Sequence, residues 1–548
     1  MSELDVDESR LHQGAASQAP ALYSLQSHNV TPRHLIIETD TSCSPAVIES
    51  IPMMPKFRTD IASLPIEMLL HILKLYYLYF WDDPPNGTVK DLQWWLILNV
   101  CSTWRQLVLD TPFFWQKIWS HWHPEIVNLF EMRSKPYSLT IRRSPLGGPG
   151  FGDQNYDVEG NATARLLTTH MDRIRSLDIE WLETLWLADV NTHEKMYNLI
   201  SRCVADAAFP KLTEVFLGSC TYYRAKRSMK LNAPKLKFLI LQELVLDLTC
   251  YPYLANLTSL RLRTANLTAE DIIPLVEACP RLEYCNIRTE QKTTHHLLPE
   301  PQPLPTHRVP LRALEYLNIS GLQWLSLART LDHLEICPTA NINLKLPPAE
   351  RHGDHPQDVF RETITPFIPS YDSLEISGHA IMLRNSARPG SLAFNSDDSD
   401  HSVLASLSEK LTYFSLPNVG IHISSISIAK IGADQVPEID DIRSAFSGFP
   451  SLEVLSLREC KDINNFLSAF QHNATMVVCP RLRRFDLQDS HYKPEILLGF
   501  LEERNANDAL LSIEWLRLVQ GLFTEKILSD LRAYVGVLVE EPPKEMDR

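Results

Sequence analysis

The 548 residues are 44% hydrophobic and 22% charged, the balance of an ordinary globular chain, which excludes collagen, a disulfide mini-protein and a wholly disordered polymer. A net charge of −15 excludes a broad nucleic-acid footprint, though not a local basic patch. At roughly 150 residues per domain, the length suits two to four units, or one small domain followed by a long repeat array.

Residues 1–59 carry Ser and Pro with no sustained apolar period and read as a disordered tail. The opening Met1-Ser-Glu-Leu-Asp-Val-Asp-Glu8 is acidic and lacks an apolar run, so no signal peptide is expected. Ten cysteines without a CxxC pair fit a reducing compartment, cytoplasm or nucleus. From Asp60 the pattern changes: Ile66, Leu69, Leu70, Leu73 and Tyr76 or Tyr77 fall at helical spacing behind Pro65. This helix should stop before the turn at Asp82-Asp-Pro-Pro-Asn-Gly87. The most apolar stretch, Leu69 to Trp81, contains Lys74 and is too short to span a bilayer. A second helical stretch, from about Asp91 to Leu109, carries Leu92, Leu96, Val100, Trp104 and Leu107, with a break near Asn99 or Ser102. Asp110-Thr-Pro112 ends it, and Phe113, Phe114, Trp115, Ile118 and Trp119 follow as an aromatic plug. Residues 60–122 thus form a small helical unit. Too small to bury all its apolar side chains alone, the unit suits a partner-binding face. Residues 123–165 read as a linker holding the Gly-rich loop Gly147–Gly152, which lacks the pattern of a phosphate cradle.

The next region, 166–540, repeats Leu-x-x-Leu-x-Leu. Clear copies start at Leu212, Leu236, Leu257, Leu282, Leu314, Leu452 and Leu482, and weaker ones at Ile174, Leu331, Tyr371, Leu411 and Ile513. A fixed-phase repeat of this kind marks a solenoid. In a strand, positions four and six of the motif point inward with the first Leu, while positions three, five and seven point outward onto one continuous concave face. Position nine should be small or able to bond backbone, as at Cys220, Ala265, Cys460 and Ser490. Ala269–Ala278 reads as a return helix, and insertions are expected at 289–310, 345–370 and 385–402. The tail 541–548 should fray. The fold class is therefore α/β: a small all-α unit followed by an irregular solenoid.

The segment Ile61 to Trp119 resembles the F-box. The match lies in Leu64-Pro65-x-Glu67-x-Leu69-Leu70-x-Ile72-Leu73, then Val100-Cys101-x-x-Trp104-Arg105-x-Leu107, then Pro112-x-Phe114-Trp115. The repeats resemble leucine-rich repeats, including the cysteine-bearing kind at Pro450-x-Leu452-x-x-Leu455-x-Leu457-x-x-Cys460, with a horseshoe implied. Together they resemble F-box proteins with a leucine-rich-repeat receptor domain. That resemblance implies a non-catalytic substrate receptor of an SCF (Skp–cullin–F-box) ubiquitin ligase, acting in ubiquitin-dependent degradation. It also implies that the Skp adaptor, and through it cullin, binds Leu64, Pro65, Glu67, Leu69, Ile72, Leu73, Val100, Cys101, Trp104, Leu107, Pro112 and Trp115. Where the family has a short connection between its first two helices, Tyr79 to Lys90 intervenes here. An interaction scaffold working outside a ligase is the alternative.

The substrate would meet the outward repeat positions. Phe216, Phe238, Arg261, Arg263, Tyr284, Arg288 and Tyr316 stand out, because Arg with aromatics suits an interface and Arg forks suit carboxylate or phosphate groups of an acidic or phosphorylated protein segment. No cofactor, metal, membrane or nucleic-acid partner is expected. The histidine pairs 121/123, 295/296 and 352/355 lack accompanying ligands, and no hydrolase or zinc-protease motif occurs. Cys101, beside Val100 on an apolar helix, reads as a buried inert thiol.

Overall fold

Leucines at motif positions one, four and six bury themselves, and each copy that does so becomes a strand: Leu236, Leu239 and Leu241 are fully buried, as are Leu452, Leu455 and Leu457. The computed structural model describes residues 64–82, 93–143, 156–181, 190–205, 207–219, 227–289, 307–345, 364–377, 380–395, 406–471, 477–519 and 523–541. Within it, 17 strands form one sheet. The spatial order begins Lys117–Trp119, Leu139–Arg143, Ile174–Trp181, Glu214–Ser219, Phe238–Gln242, Ser259–Arg263, Tyr284–Arg288, Tyr316–Ser320 and Asn341–Lys345, each parallel to the one before. Here the chain order reverses. Asn341–Lys345 pairs with Ser391–Asn395, which pairs antiparallel with Ala380–Arg384, which pairs antiparallel with Ser373–Ser377. Parallel order then resumes through Ser425–Ala429, Val454–Arg458, Arg484–Gln488, Trp515–Val519 and Val537–Glu541. The result is a leucine-rich-repeat-like α/β solenoid with one meander inserted.

Strands end by a shared device. At motif position eight the backbone turns left-handed, at Glu243, Gly321, Lys430, Glu459 and Asp489. The amides of Glu243, Lys430 and Glu459 then donate to carbonyls of Arg263, Arg458 and Gln488 in the next repeat. Position nine follows the polar logic in one pair: the Cys460 amide donates to Ser490 Oγ, which donates to the Leu457 carbonyl. Return helices bury apolar faces in the same core. Ala269–Glu277 starts at a capping box between Thr268 and Asp271 and buries Ile272, Ile273, Leu275 and Val276.

Four expectations are corrected. The stretch 123–165, read as linker, carries the helix Pro124–Arg133 and the strand Leu139–Arg143, and the sheet already begins at Lys117–Trp119. The copy at Leu331 yields only Leu334–Ile336, paired with Val309–Leu311 outside the large sheet; the sheet strand is Asn341–Lys345, where Ile342 and Leu344 alternate. Leu411 lies in the helix Leu407–Phe414, nucleated by the Ser406/Glu409 capping box, and the strand comes later, on Ile426 and Ile428. The insertion expected at 385–402 contains Ser391–Asn395, whose Leu392 and Phe394 are buried. The tails 1–59 and 541–548, apart from Glu541, and the Gly-rich loop 147–152 lie outside the described residues.

The helical unit consists of the α-helix Ile66–Asp82, a 3-10 turn Gln93–Asn99, the α-helix Ser102–Asp110 and a 3-10 turn Pro112–Trp115. Its plug is aromatic: Tyr77 meets Phe113 and Phe114 edge-on at 5.5 and 5.4 Å, and Trp115 meets Phe130 at 4.9 Å. Trp115 Nε1 donates to the Val108 carbonyl at 2.9 Å, and Arg133 lies over its ring.

Candidate interaction surfaces

The first helix carries two apolar stripes. Leu69, Leu73 and Tyr77, four residues apart, are buried and join the core. Met68, Ile72, Leu75 and Tyr79, spaced four, three and four, form a second stripe whose members are 41–66% exposed. Ile66, Leu96 and Val100 add further exposed apolar side chains on this unit. The residues expected at an adaptor therefore divide. Pro65, Glu67, Ile72, Val100 and Cys101 are exposed; Leu64, Trp104, Leu107 and Pro112 are half-buried. Leu69, Leu73 and Trp115 fill the unit's own core, because the edge-on aromatic plug and the Trp115 hydrogen bond hold that side inward. Met68, Leu75 and Tyr79 were not among the expected residues, though their four-three-four spacing with Ile72 is legible, and Leu96, placed on the second helical stretch, is exposed as well. Cys101 is corrected too: it is exposed at the N-cap of Ser102–Asp110, where Sγ accepts from the Trp104 amide at 3.5 Å. It marks the break between the two helical segments, beside an exposed Val100, and its side chain meets an orphan amide of the first turn.

The second surface is the outward face of the sheet. Strand register places Phe216, Ile240, Arg261, Asn286, Asn318 and Asn343 in one row across neighbouring repeats. A parallel row carries Phe238, Ser259, Tyr284, Tyr316 and Asn341. A third carries Arg263, Arg288, Ser320 and Lys345. The expected substrate residues thus share one face. Tyr284 and Tyr316 stack at 4.8 Å with an 11° interplanar angle, and the Arg261 guanidinium sits 5.8 Å from the Tyr284 ring centre. Phe238, Arg261 and Arg288 are exposed; Phe216, Arg263, Tyr284 and Tyr316 are half-buried. Asparagines of the same face join one another across repeats. Asn318 Nδ2 donates to Asn286 Oδ1 at 2.8 Å, and Asn395 Nδ2 to Asn343 Oδ1 at 2.8 Å.

Farther along, serines at 373, 425, 427 and 456 leave a dip of about 320 Å³ between the Arg384–Glu375 pair and a wall of Arg458, Arg484 and Asp486. Asp486 is buried, accepts from Ser456 Oγ at 3.1 Å and lies 3.6 Å from Arg458 and from Arg517. Thiol chemistry is suppressed where cysteines are deepest: burial pushes Cys279 and Cys479 up to about 12. Cys337 is lowered by its hydrogen bond with Thr339. Of the histidine pairs, His121 is half-buried and His123 exposed, its Nδ1 accepting from the Glu125 amide; 295/296 and 352/355 lie outside the described residues. Among the described residues no group of three or more His, Cys, Asp or Glu is placed to hold a metal ion, and no helix is long and apolar enough to cross a membrane.

No protein-family profile matches the chain, and no curated protein matches it. Among solved structures, a crystal structure of a TLR13–ssRNA13 complex is similar at 13% identity with a TM-score of 0.27, over 65% of this chain and 51% of that one. The chain therefore spans about half the length of that structural neighbour.

Proposed function

We propose that this chain is the non-catalytic substrate receptor of an SCF-type ubiquitin ligase, its helical unit an F-box that binds the Skp adaptor and its repeats the holder of a protein substrate. The observation that carries the reading is the outer stripe Met68, Ile72, Leu75 and Tyr79, solvent-exposed on a helix whose opposite stripe is fully packed. A contiguous apolar stripe left in water marks an interaction site. It lies on the segment whose Leu-Pro-x-Glu and Val-Cys-x-x-Trp-Arg motifs resemble the F-box. The deep core positions Leu69, Leu73 and Trp115 support that surface from beneath.

Met68→Glu with Leu75→Glu places two charges on the stripe and touches no core residue. Capture of the Skp adaptor from solution should be abolished, while far-UV circular dichroism and the thermal midpoint stay at wild-type values. Capture at wild-type strength would refute the assignment. Cullin co-purifying with the wild-type chain and adaptor separates a ligase subunit from a scaffold.

A further inference from the structure

We infer that the outward sheet face from Phe238–Gln242 to Ala380–Arg384 is a docking track for an extended protein segment in which acidic and apolar side chains alternate. The inference deepens the substrate half of the proposed function and rests on it only there.

Charge is the first argument. Seven adjacent strands present 21 outward positions, and not one is Asp or Glu; the nearest outward carboxylates, Glu214 and Glu375, stand on the strands at either end. The chain's 67 acids would place about two or three there at average density. The same positions carry Arg261, Arg263, Arg288, Lys345 and Arg384. Arg384 is paired with Glu375. Among the described residues, the Arg288 side chain makes no ion pair or hydrogen bond, and Arg261 meets only the Tyr284 ring. Among the described residues these two exposed guanidiniums have no carboxylate partner, and on a chain of net charge −15 they suit an anion supplied by another molecule.

The row structure supplies the second argument. Three chemistries lie side by side: an aromatic row led by Phe238, Tyr284 and Tyr316, an amide row of Asn286, Asn318 and Asn343, and a basic row of Arg263, Arg288 and Lys345. Each asparagine amide has two donor hydrogens and an acceptor oxygen, of which the hydrogen bonds between neighbours use only part. A side-chain amide complements peptide N–H and C=O whatever the sequence. A segment running along the rows would lay its backbone on the amides. Its side chains alternate, so one set falls on the aromatics and the other on the cations. With strands about 4.8 Å apart, seven strands span roughly 29 Å, the length of about nine extended residues.

The probe is a fluorescein-labelled peptide alternating Glu and Leu, compared with a block peptide of the same composition, a Lys–Leu peptide and a phosphoserine–Leu peptide, all against the full chain. Alternating Glu–Leu or phosphoserine–Leu peptide should bind at low salt, and the stronger of the two identifies carboxylate or phosphoryl as the preferred anion. Binding should weaken as salt rises. Arg261→Glu with Arg288→Glu should cost about 100-fold or more, and Asn318→Leu about tenfold with the salt dependence retained. Equal binding of block and alternating peptides, preference for Lys–Leu, no binding of either anionic peptide, or wild-type affinity in the double Arg variant would each overturn the inference. Adaptor capture by the Arg and Asn variants reads the other half separately: peptide binding lost with capture intact confines the failure to this track.

Discussion

At the scale of single residues, burial sets chemistry that composition conceals. His121 packs beside Trp119 at 5.5 Å, near the buried Arg143 on the neighbouring strand. Burial, and then the Arg143 charge, hold its imidazole down at about 4. An unfolded chain takes up that proton near 6.5, well before the folded one does. The stability His121 contributes is therefore complete above about pH 6.5 and lost as pH falls through 4, amounting to roughly 3 kcal/mol across the window. Urea midpoints measured from pH 7.5 to 4 should fall less steeply for His121→Phe than for wild type; parallel profiles would show that His121 titrates normally. Arg504 teaches the same point. It is buried, its Nε donates to the Leu511 carbonyl and one Nη donates to the carbonyls of Cys479 and Leu482, and burial lowers it to about 10. Nothing in the sequence separates it from the chain's exposed arginines, because the carbonyls it joins lie on two segments distant in sequence, the turn Cys479–Leu482 and Leu511.

At the scale of elements, the turn at motif position eight is the part least free to vary. Gly321 has φ +77°, and a Cβ there would lie 1.9 Å from the Thr289 carbonyl oxygen of the neighbouring repeat. Backbone cannot yield as a flexible side chain can. Gly321→Ala should cost about 3 kcal/mol or more. Glu459 holds the same position with φ 53°, so Glu459→Gly should change stability by no more than about 1 kcal/mol, relief of the left-handed strain offsetting lost backbone order. Denaturant midpoints of the two variants check the contrast, and equal losses would refute it. The strands at Leu212, Leu236, Leu257, Leu282, Leu314, Leu452 and Leu482 were legible because inward positions must be apolar at a fixed phase. The strand at Ser425–Ala429 was not, since Ile423, Ile426 and Ile428 are preceded by a helix whose Leu411 imitates the motif. Strand order in the meander was invisible for a deeper reason: Asn341–Lys345 and Ser391–Asn395 pair across 50 residues, and local pattern carries no pairing information. Of the surfaces, the arginines and aromatics could be read from position parity, whereas the outer stripe of the first helix was read as if one face sufficed.

At the scale of the whole solenoid, each strand is held by two neighbours except at the ends, and the two ends differ. Lys117–Trp119 is only three residues long and joins the helical unit: the Lys117 ammonium lies 5.8 Å from the Tyr77 ring centre, and Ile118 is fully buried. Among the described residues Val537–Glu541 pairs with Trp515–Val519 alone, and Val537 is 52% exposed. The helix Glu525–Tyr534 tethers it through Arg532 and Glu540, a half-exposed ion pair at 2.7 Å that adds little. In a repeat array, stability is a sum of intrinsic and nearest-neighbour contributions, so a strand with one neighbour opens first. Amide hydrogen exchange should run fastest, among strands of the large sheet, at Val537–Glu541, followed by Trp515–Val519, and slowest near Ser259–Arg263 and Tyr284–Arg288. The Lys117–Trp119 end should exchange more slowly than the C-terminal one, because opening it also uncovers the aromatic plug. If the adaptor binds at Met68, Ile72, Leu75 and Tyr79 as proposed, it should protect the N-terminal end further and leave the C-terminal end unchanged. Strong protection at Val537–Glu541 in the isolated chain would mean that the bare edge is covered, and the nearest-neighbour account of this solenoid would fail there.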